Sequence, residues 1–231
     1  MSELWFWFRY TLLYSPLLWW LVFLFVAVVL YPRLQRWARL SHAKRRFIEG
    51  QGAKLQNPQN AEARFQLAHI YAEGYRWRRV AEYAGEAVRI ARESPLYEGG
   101  PPYHFLVLLG DGLYHTRRYA EAAPAYEEAL KAKALAGTTA ALLGLGKARY
   151  RLGEPARALE ILKEALHENA STLETYFRAA QAAAAAGKDD EAAAIGAEFR
   201  RTAASLPRFA RQQRLRWRLA FLLFPLSRHV A

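Results

Sequence analysis

A small residue returns at Ala68, Gly110, Gly146 and Ala180, at intervals of 42, 36 and 34 residues, and each time it opens a similar succession of side chains. The clearest copy runs from Leu109 to Leu130, LGDGLYHTRRYAEAAPAYEEAL. Gly110, Leu113 and Tyr114 share one face of a helix, and Ala122, Tyr126 and Ala129 share one face of a second. Packed helices lie about 8–10 Å apart, so the closest approaches need a small side chain on one of the two, with large rings filling the space beside it. The other copies read Leu67, Ala68 and Tyr71 with Trp77, Val80, Ala84 and Ala87; Leu145, Gly146 and Tyr150 with Gly153, Ala158, Leu162 and Ala165; and Ala180 and Ala183 with Gly187, Ala192 and Phe199. A single helical hairpin cannot bury its apolar face alone, so repetition of this kind predicts a stack of hairpins.

The succession Leu109-Gly110 to Leu113-Tyr114, then Ala122, Tyr126 and Ala129, resembles the tetratricopeptide repeat, a helix–turn–helix unit of about 34 residues with the pattern L-G-x2-Y followed by A-x3-F/Y-x2-A. Asn57-Pro58-Gln59-Asn60-Ala61-Glu62-Ala63 resembles the junction between consecutive repeats of that family. The resemblance covers residues 58–200 and implies an all-α solenoid of about four repeats. The first interval exceeds the family period by eight residues. The excess falls on Glu93-Ser-Pro-Leu-Tyr-Glu-Gly-Gly-Pro-Pro102, whose prolines and glycines predict an enlarged loop.

Ahead of the repeats lies a stretch without charge. From Tyr10 to Tyr31, YTLLYSPLLWWLVFLFVAVVLY, no Asp, Glu, Lys or Arg occurs, and a helix of that length reaches about 33 Å, enough for a bilayer core. The start Met-Ser-Glu and the absence of a small-residue cleavage site argue against a secretory signal. The sequence therefore predicts a short extracytoplasmic N-terminus over 1–9, a transmembrane helix over 10–32 and a basic juxtamembrane helix over 33–57. Arg33, Arg36, Arg39, Lys44, Arg45 and Arg46 follow the span, and the preference of basic flanks for the cytoplasm predicts a single-pass inner-membrane protein with its N-terminus outside. One span followed by cytoplasmic repeats also looks like bacterial envelope-assembly factors, although their terminal cysteine domain has no counterpart here.

Charge is distributed unevenly. The chain carries +12 net, with +6 over residues 1–56, −2 over 57–199 and +8 over 200–231. A nucleic-acid binder concentrates positive charge on its folded domain, so nucleic acid is not the expected partner, and basic flanks fit an anionic membrane surface better. Residues 201–231 predict a basic amphipathic helix in which Arg211, Arg214, Trp217 and Arg218 recur. As a cap it would close the end of the solenoid; as an interfacial helix over 208–226 it would lie on lipid beside the span.

Dedicated chemistry is not legible. There is no cysteine, and the six histidines show no metal-ligand spacing. Gly144-Leu-Gly146-Lys147 is followed by Ala148 where a phosphate loop needs Ser or Thr, and Gly110-Asp-Gly112 lacks the third glycine of a dinucleotide fingerprint. Neither catalysis nor a cofactor nor a resident metal is expected.

The resemblance implies instead a concave groove lined by the first helix of each repeat. Carried onto this sequence, its positions include Phe65, His69 and Glu73, then Val107, Asp111, Tyr114 and His115, then Leu143, Lys147, Tyr150 and Arg151, then Phe177 and Gln181. Family members that clamp a C-terminal carboxylate place Lys and Asn where Phe65, His69 and Leu108 stand here, which argues against that specificity. The expected function is a membrane-anchored scaffold or adaptor that holds a protein or peptide partner at His69, Asp111, Tyr114, His115, Lys147, Tyr150, Arg151 and Gln181. The alternatives are a structural subunit of a larger membrane complex, and lipid or nucleic-acid binding through the basic ends.

Overall fold

The computed structural model describes residues 20, 23–24, 31, 35, 38, 41–44, 46–47, 57, 59–132, 137–207 and 215–222. Within residues 61–205, eight helices follow one another as four antiparallel hairpins: α1 (Ala61–Glu73) with α2 (Trp77–Glu93), α3 (Tyr103–His115) with α4 (Tyr119–Lys131), α5 (Thr139–Arg151) with α6 (Pro155–Glu168), and α7 (Leu173–Ala185) with α8 (Asp189–Ser205). No strand occurs among the described residues. The all-helical repeat solenoid expected from the sequence is what the chain builds.

Local signals set the helix starts. Asn60 caps α1 by accepting from the Ala63 N–H at 2.9 Å, which satisfies one of the orphan donors of the first turn. Pro155 opens α6 at a position where its missing N–H has no partner to lose. The four turns inside the hairpins share one geometry. The N–H groups of Arg76, Arg118, Glu154 and Lys188 reach back to the carbonyls of Tyr71, Leu113, Arg149 and Ala183 at 2.9–3.0 Å, and the residue before each donor has a left-handed backbone. This is the Schellman closure of a helix.

Packing follows the small-residue pattern. Each second helix lies against the first helix of the next hairpin, and first helices also touch along the stack, α1 with α3, α3 with α5, and α5 with α7. Successive second helices stand farther apart and meet through long charged side chains, Arg92 with Glu128 at 2.5 Å and Lys163 with Glu191 at 3.0 Å. A close inner row and a spread outer row curve the stack, with the first helices on the concave side.

The glycines are seats for neighbouring side chains. A Cβ on Gly110 would lie 2.6 Å from the Tyr126 ring, one on Gly144 2.3 Å from the same ring, and one on Gly146 2.5 Å from Leu162. Tyr126 on α4 is thus held between α3 and α5, at 1% exposure. Burying one large side chain of this kind contributes about 1.5–3 kcal/mol.

The enlarged connection expected over Glu93-Ser-Pro-Leu-Tyr-Glu-Gly-Gly-Pro-Pro102 is present: α2 ends at Glu93, α3 starts at Tyr103, and residues 94–102 are not helical. Within it Pro101 is buried, and the Tyr97 ring lies 6.1 Å from that of Phe105. One expectation changes, and it concerns localisation. Among the described residues no helix is long and apolar enough to cross a membrane. The eight helices have 13 to 17 residues, short of the roughly 20 a span needs, and their apolar faces are spent on one another. This corrects the sequence-based placement as a single-pass inner-membrane protein with its N-terminus out and its repeats cytoplasmic. Most of 10–32 lies outside the described residues, as do 1–9, Arg33, Arg36, Arg39, Arg45, Arg211 and Arg214.

Both ends of the described stack are covered. Phe47 packs on Leu67, Tyr71 and Val80, and the Lys44 ammonium stands 5.6 Å over the Tyr71 ring. Helical residues 215–222 close the other end, where Trp217 is buried and stands 5.5 Å from Phe177, while Phe221 stacks on Phe199 at 4.0 Å. Of the two roles weighed for this segment the structure therefore displays the cap. Trp217, assigned to the membrane surface in the sequence analysis, faces the core, whereas Arg218 is exposed.

Candidate partner-binding groove

The first helices of the second, third and fourth hairpins bring Tyr114, Lys147, Tyr150, Arg151 and Gln181 around one small depression, together with Leu162 and Arg178. Tyr114 lies in the last turn of α3, Lys147, Tyr150 and Arg151 share the last turns of α5, and Arg178 and Gln181 lie one turn apart on α7. The helical period places them on one face, and the close inner row brings the three helices together.

Electrostatics fix the floor. The Lys147 ammonium is 3.2 Å from Glu174 and 5.1 Å from the Tyr114 ring centroid, so a salt bridge and a cation–π contact hold the same group. Arg178 stands 3.7 Å from Glu174 and donates to the Gln181 carbonyl at 3.1 Å, yet its buried Nε has no hydrogen-bond partner among the described residues. Arg151 is exposed, and a hydrogen bond with Tyr114 raises its guanidinium above the ordinary value. Among the described residues Arg151 has no carboxylate partner. Lys147 and Arg178 share Glu174, so the depression keeps an excess of positive charge that an acidic or carbonyl-rich segment would neutralise.

Three residues assigned to the groove lie elsewhere or are already engaged. His69 is exposed on α1 with Glu73 3.8 Å away. Asp111 accepts a hydrogen bond from the Tyr126 phenol at 2.6 Å, and burial raises its carboxyl above the ordinary range. His115 stacks on Trp77 with ring centroids 3.9 Å apart, and burial, then the charge of Lys147, lowers its imidazole. Arg178 and Glu174 were missed, although Glu174 precedes Arg178 by four residues and Gln181 follows it by three, spacings that put all three on one helix face.

Comparison with known proteins agrees with this architecture. The family model for the tetratricopeptide repeat matches residues 107–174 and 143–207. No curated protein matches the chain in sequence. Among solved structures, BtubC from P. vanneervenii is similar at 19% identity and a TM-score of 0.64, with 87% of this chain and 89% of that one covered. MamA is similar at 17% identity and a TM-score of 0.59, over 71% of this chain and 88% of its own. YrrB, a TPR protein with an unusual peptide-binding site, is similar at 20% identity and a TM-score of 0.53, over 68% of this chain and 74% of its own. At these identities the likeness concerns the fold.

Proposed function

We propose, for a chain that carries tetratricopeptide repeats, the role of a scaffold or adaptor that takes a protein or peptide partner on its concave face. The observation that carries this reading is the convergence of Tyr114, Lys147, Tyr150, Arg151, Arg178 and Gln181 from three consecutive hairpins. Two phenol rings offer apolar contact at low entropic cost, and the surplus cation offers a charge-assisted bond to a carboxylate or carbonyl. The resemblance to YrrB in fold, with its peptide-binding site, points the same way.

A photo-crosslinking residue placed at Arg151 in the native host tests this. A discrete crosslinked protein, lost when Lys147→Glu and Arg151→Glu are combined in a chain that still melts cooperatively, supports the assignment. Crosslinking unchanged by the double reversal removes the groove from the function.

A further inference from the structure

The four hairpin turns share one backbone and differ in what they carry. In each, the left-handed position lies seven residues after the small residue of the repeat: Tyr75 (φ 57°), Arg117 (φ 66°), Gly153 (φ 81°) and Gly187 (φ 75°). Glycine occupies that conformation without strain, whereas a residue with a Cβ does not. The last two turns use glycine; the first two hold a tyrosine and an arginine in the strained state. Strain kept at a surface turn, where glycine would serve the fold equally well, points to a use for the side chain.

Both strained residues line one cleft. It has a volume of about 590 Å³, within the range of ligand sites, and lies between the first two turns, walled by Tyr75, Arg76, Trp77, Arg78, Arg79, His115, Thr116 and Arg117. Among the described residues, four arginines and no carboxylate line it. Arg79 is paired with Glu82 at 2.7 Å, but among the described residues Arg76, Arg78 and Arg117 have no carboxylate partner. By contrast, Arg89 and Arg92 on α2, Arg118 at the N-cap of α4 and Arg157 on α6 each meet a glutamate. Trp77, stacked on His115 and met edge-on by Tyr75 at 6.0 Å, gives the cleft an apolar wall, and the start of α2 adds its partial positive charge.

We propose that this cleft is a second docking surface, for an acidic, extended segment of a protein partner. Guanidinium groups match carboxylates through paired N–H donors. The cleft is open to water, so a single small anion gains little from it, whereas a chain bearing several carboxylates can engage Arg76, Arg78 and Arg117 in succession along its length. The site goes beyond the concave-face reading and shares none of the residues that line the depression there, so either assignment can fail alone.

The test titrates the full chain with fluorescein-labelled decaglutamate by fluorescence polarisation. Combining Arg76→Ser, Arg78→Ser and Arg117→Gly is expected to weaken binding at least about tenfold, and binding should weaken steeply with added salt. The control removes three arginines at the far end, Arg200→Ser, Arg201→Ser and Arg216→Ser, and is expected to change affinity less than about twofold. Arg117→Gly alone should raise the melting temperature, because it relaxes the turn, while still weakening the peptide; it serves if the triple variant does not fold. Equal losses in cleft and control variants reduce the effect to net charge and overturn the proposal. So does a cleft variant that binds like the parent, or one that loses pyrophosphate or phosphatidylserine vesicles while keeping decaglutamate.

Discussion

The phenol of Tyr126 donates a hydrogen bond of 2.6 Å to Asp111 across the α3–α4 hairpin, while its ring is pressed between Gly110 and Gly144. One side chain thus locks two hairpins together and occupies the carboxylate that the sequence analysis had assigned to a partner. Burial, partly opposed by that hydrogen bond and by Lys147 and reinforced by Glu174, raises the Asp111 carboxyl above its ordinary value.

The sign of the pH effect follows. With a folded value above the unfolded one, the native state holds a proton the unfolded chain has released, so the Asp111 contribution is full below the unfolded value of about 3.9 and is lost as pH rises through the raised one. Asp111→Asn keeps an acceptor for Tyr126 and cannot titrate. The melting temperature of the parent relative to this variant should therefore fall as pH rises from about 4 through the raised value. A relative stability that rises over this range would sink the assignment.

Glycine seats give a paired test. Gly144→Ala places a Cβ 2.3 Å from Tyr126, and Gly110→Ala one at 2.6 Å; each should cost about 1–3 kcal/mol, as overpacking does. Gly85→Ala meets only Leu109, at 3.8 Å, and should instead gain about 0.5–1 kcal/mol from helix propensity. Urea unfolding of the three variants decides, and equal effects at Gly85 and Gly144 would refute the packing account.

Thr175 is fully buried and its hydroxyl has no hydrogen-bond partner among the described residues. Thr175→Val keeps the shape and removes the unsatisfied group, so it should stabilise the protein by about 1 kcal/mol. A loss of stability in calorimetry would mean that the hydroxyl has a partner, such as a buried water.

Glu127 accepts from Arg149 at 2.5 Å and also lies 3.7 Å from Arg157, tying α4 to the following hairpin. The Arg149 side chain is 14% exposed, so Glu127→Gln leaves a largely buried guanidinium with only Glu154, at 3.1 Å, and should cost about 1–2 kcal/mol. Glu121, whose exposed pairing with Arg118 is screened by water, should tolerate the same change. Chemical denaturation that ranks the two sites the other way would contradict this.

The hairpin period was legible because its physics is local and repeated: Gly110 and Gly146 seat a ring and a leucine, and a pattern of small and large residues records that directly. The sequence analysis rejected Gly144 as part of a phosphate loop but gave it no other role, because its partner, Tyr126, belongs to the preceding hairpin and no motif links them. The Pro/Gly-rich connection was legible too, because two glycines and three prolines cannot continue a helix, and α2 ends at Glu93, where that stretch begins. Tyr114, Lys147, Tyr150, Arg151 and Gln181, expected from family positions, line one depression, but the fate of Asp111 and His115 depended on which neighbouring ring claimed them. Localisation rested on hydropathy, and no described helix has the length it required.

The two rows of helices are held by different forces, and this gives the stack a mechanical character. Along the inside the first helices pack closely, and the one ion pair described between them, Lys147–Glu174, is partly buried; along the outside, Arg92–Glu128 and Lys163–Glu191 are more exposed tethers that ions weaken. Added electrolyte should therefore loosen the outside row more than the inside one, where close packing carries most of the contact.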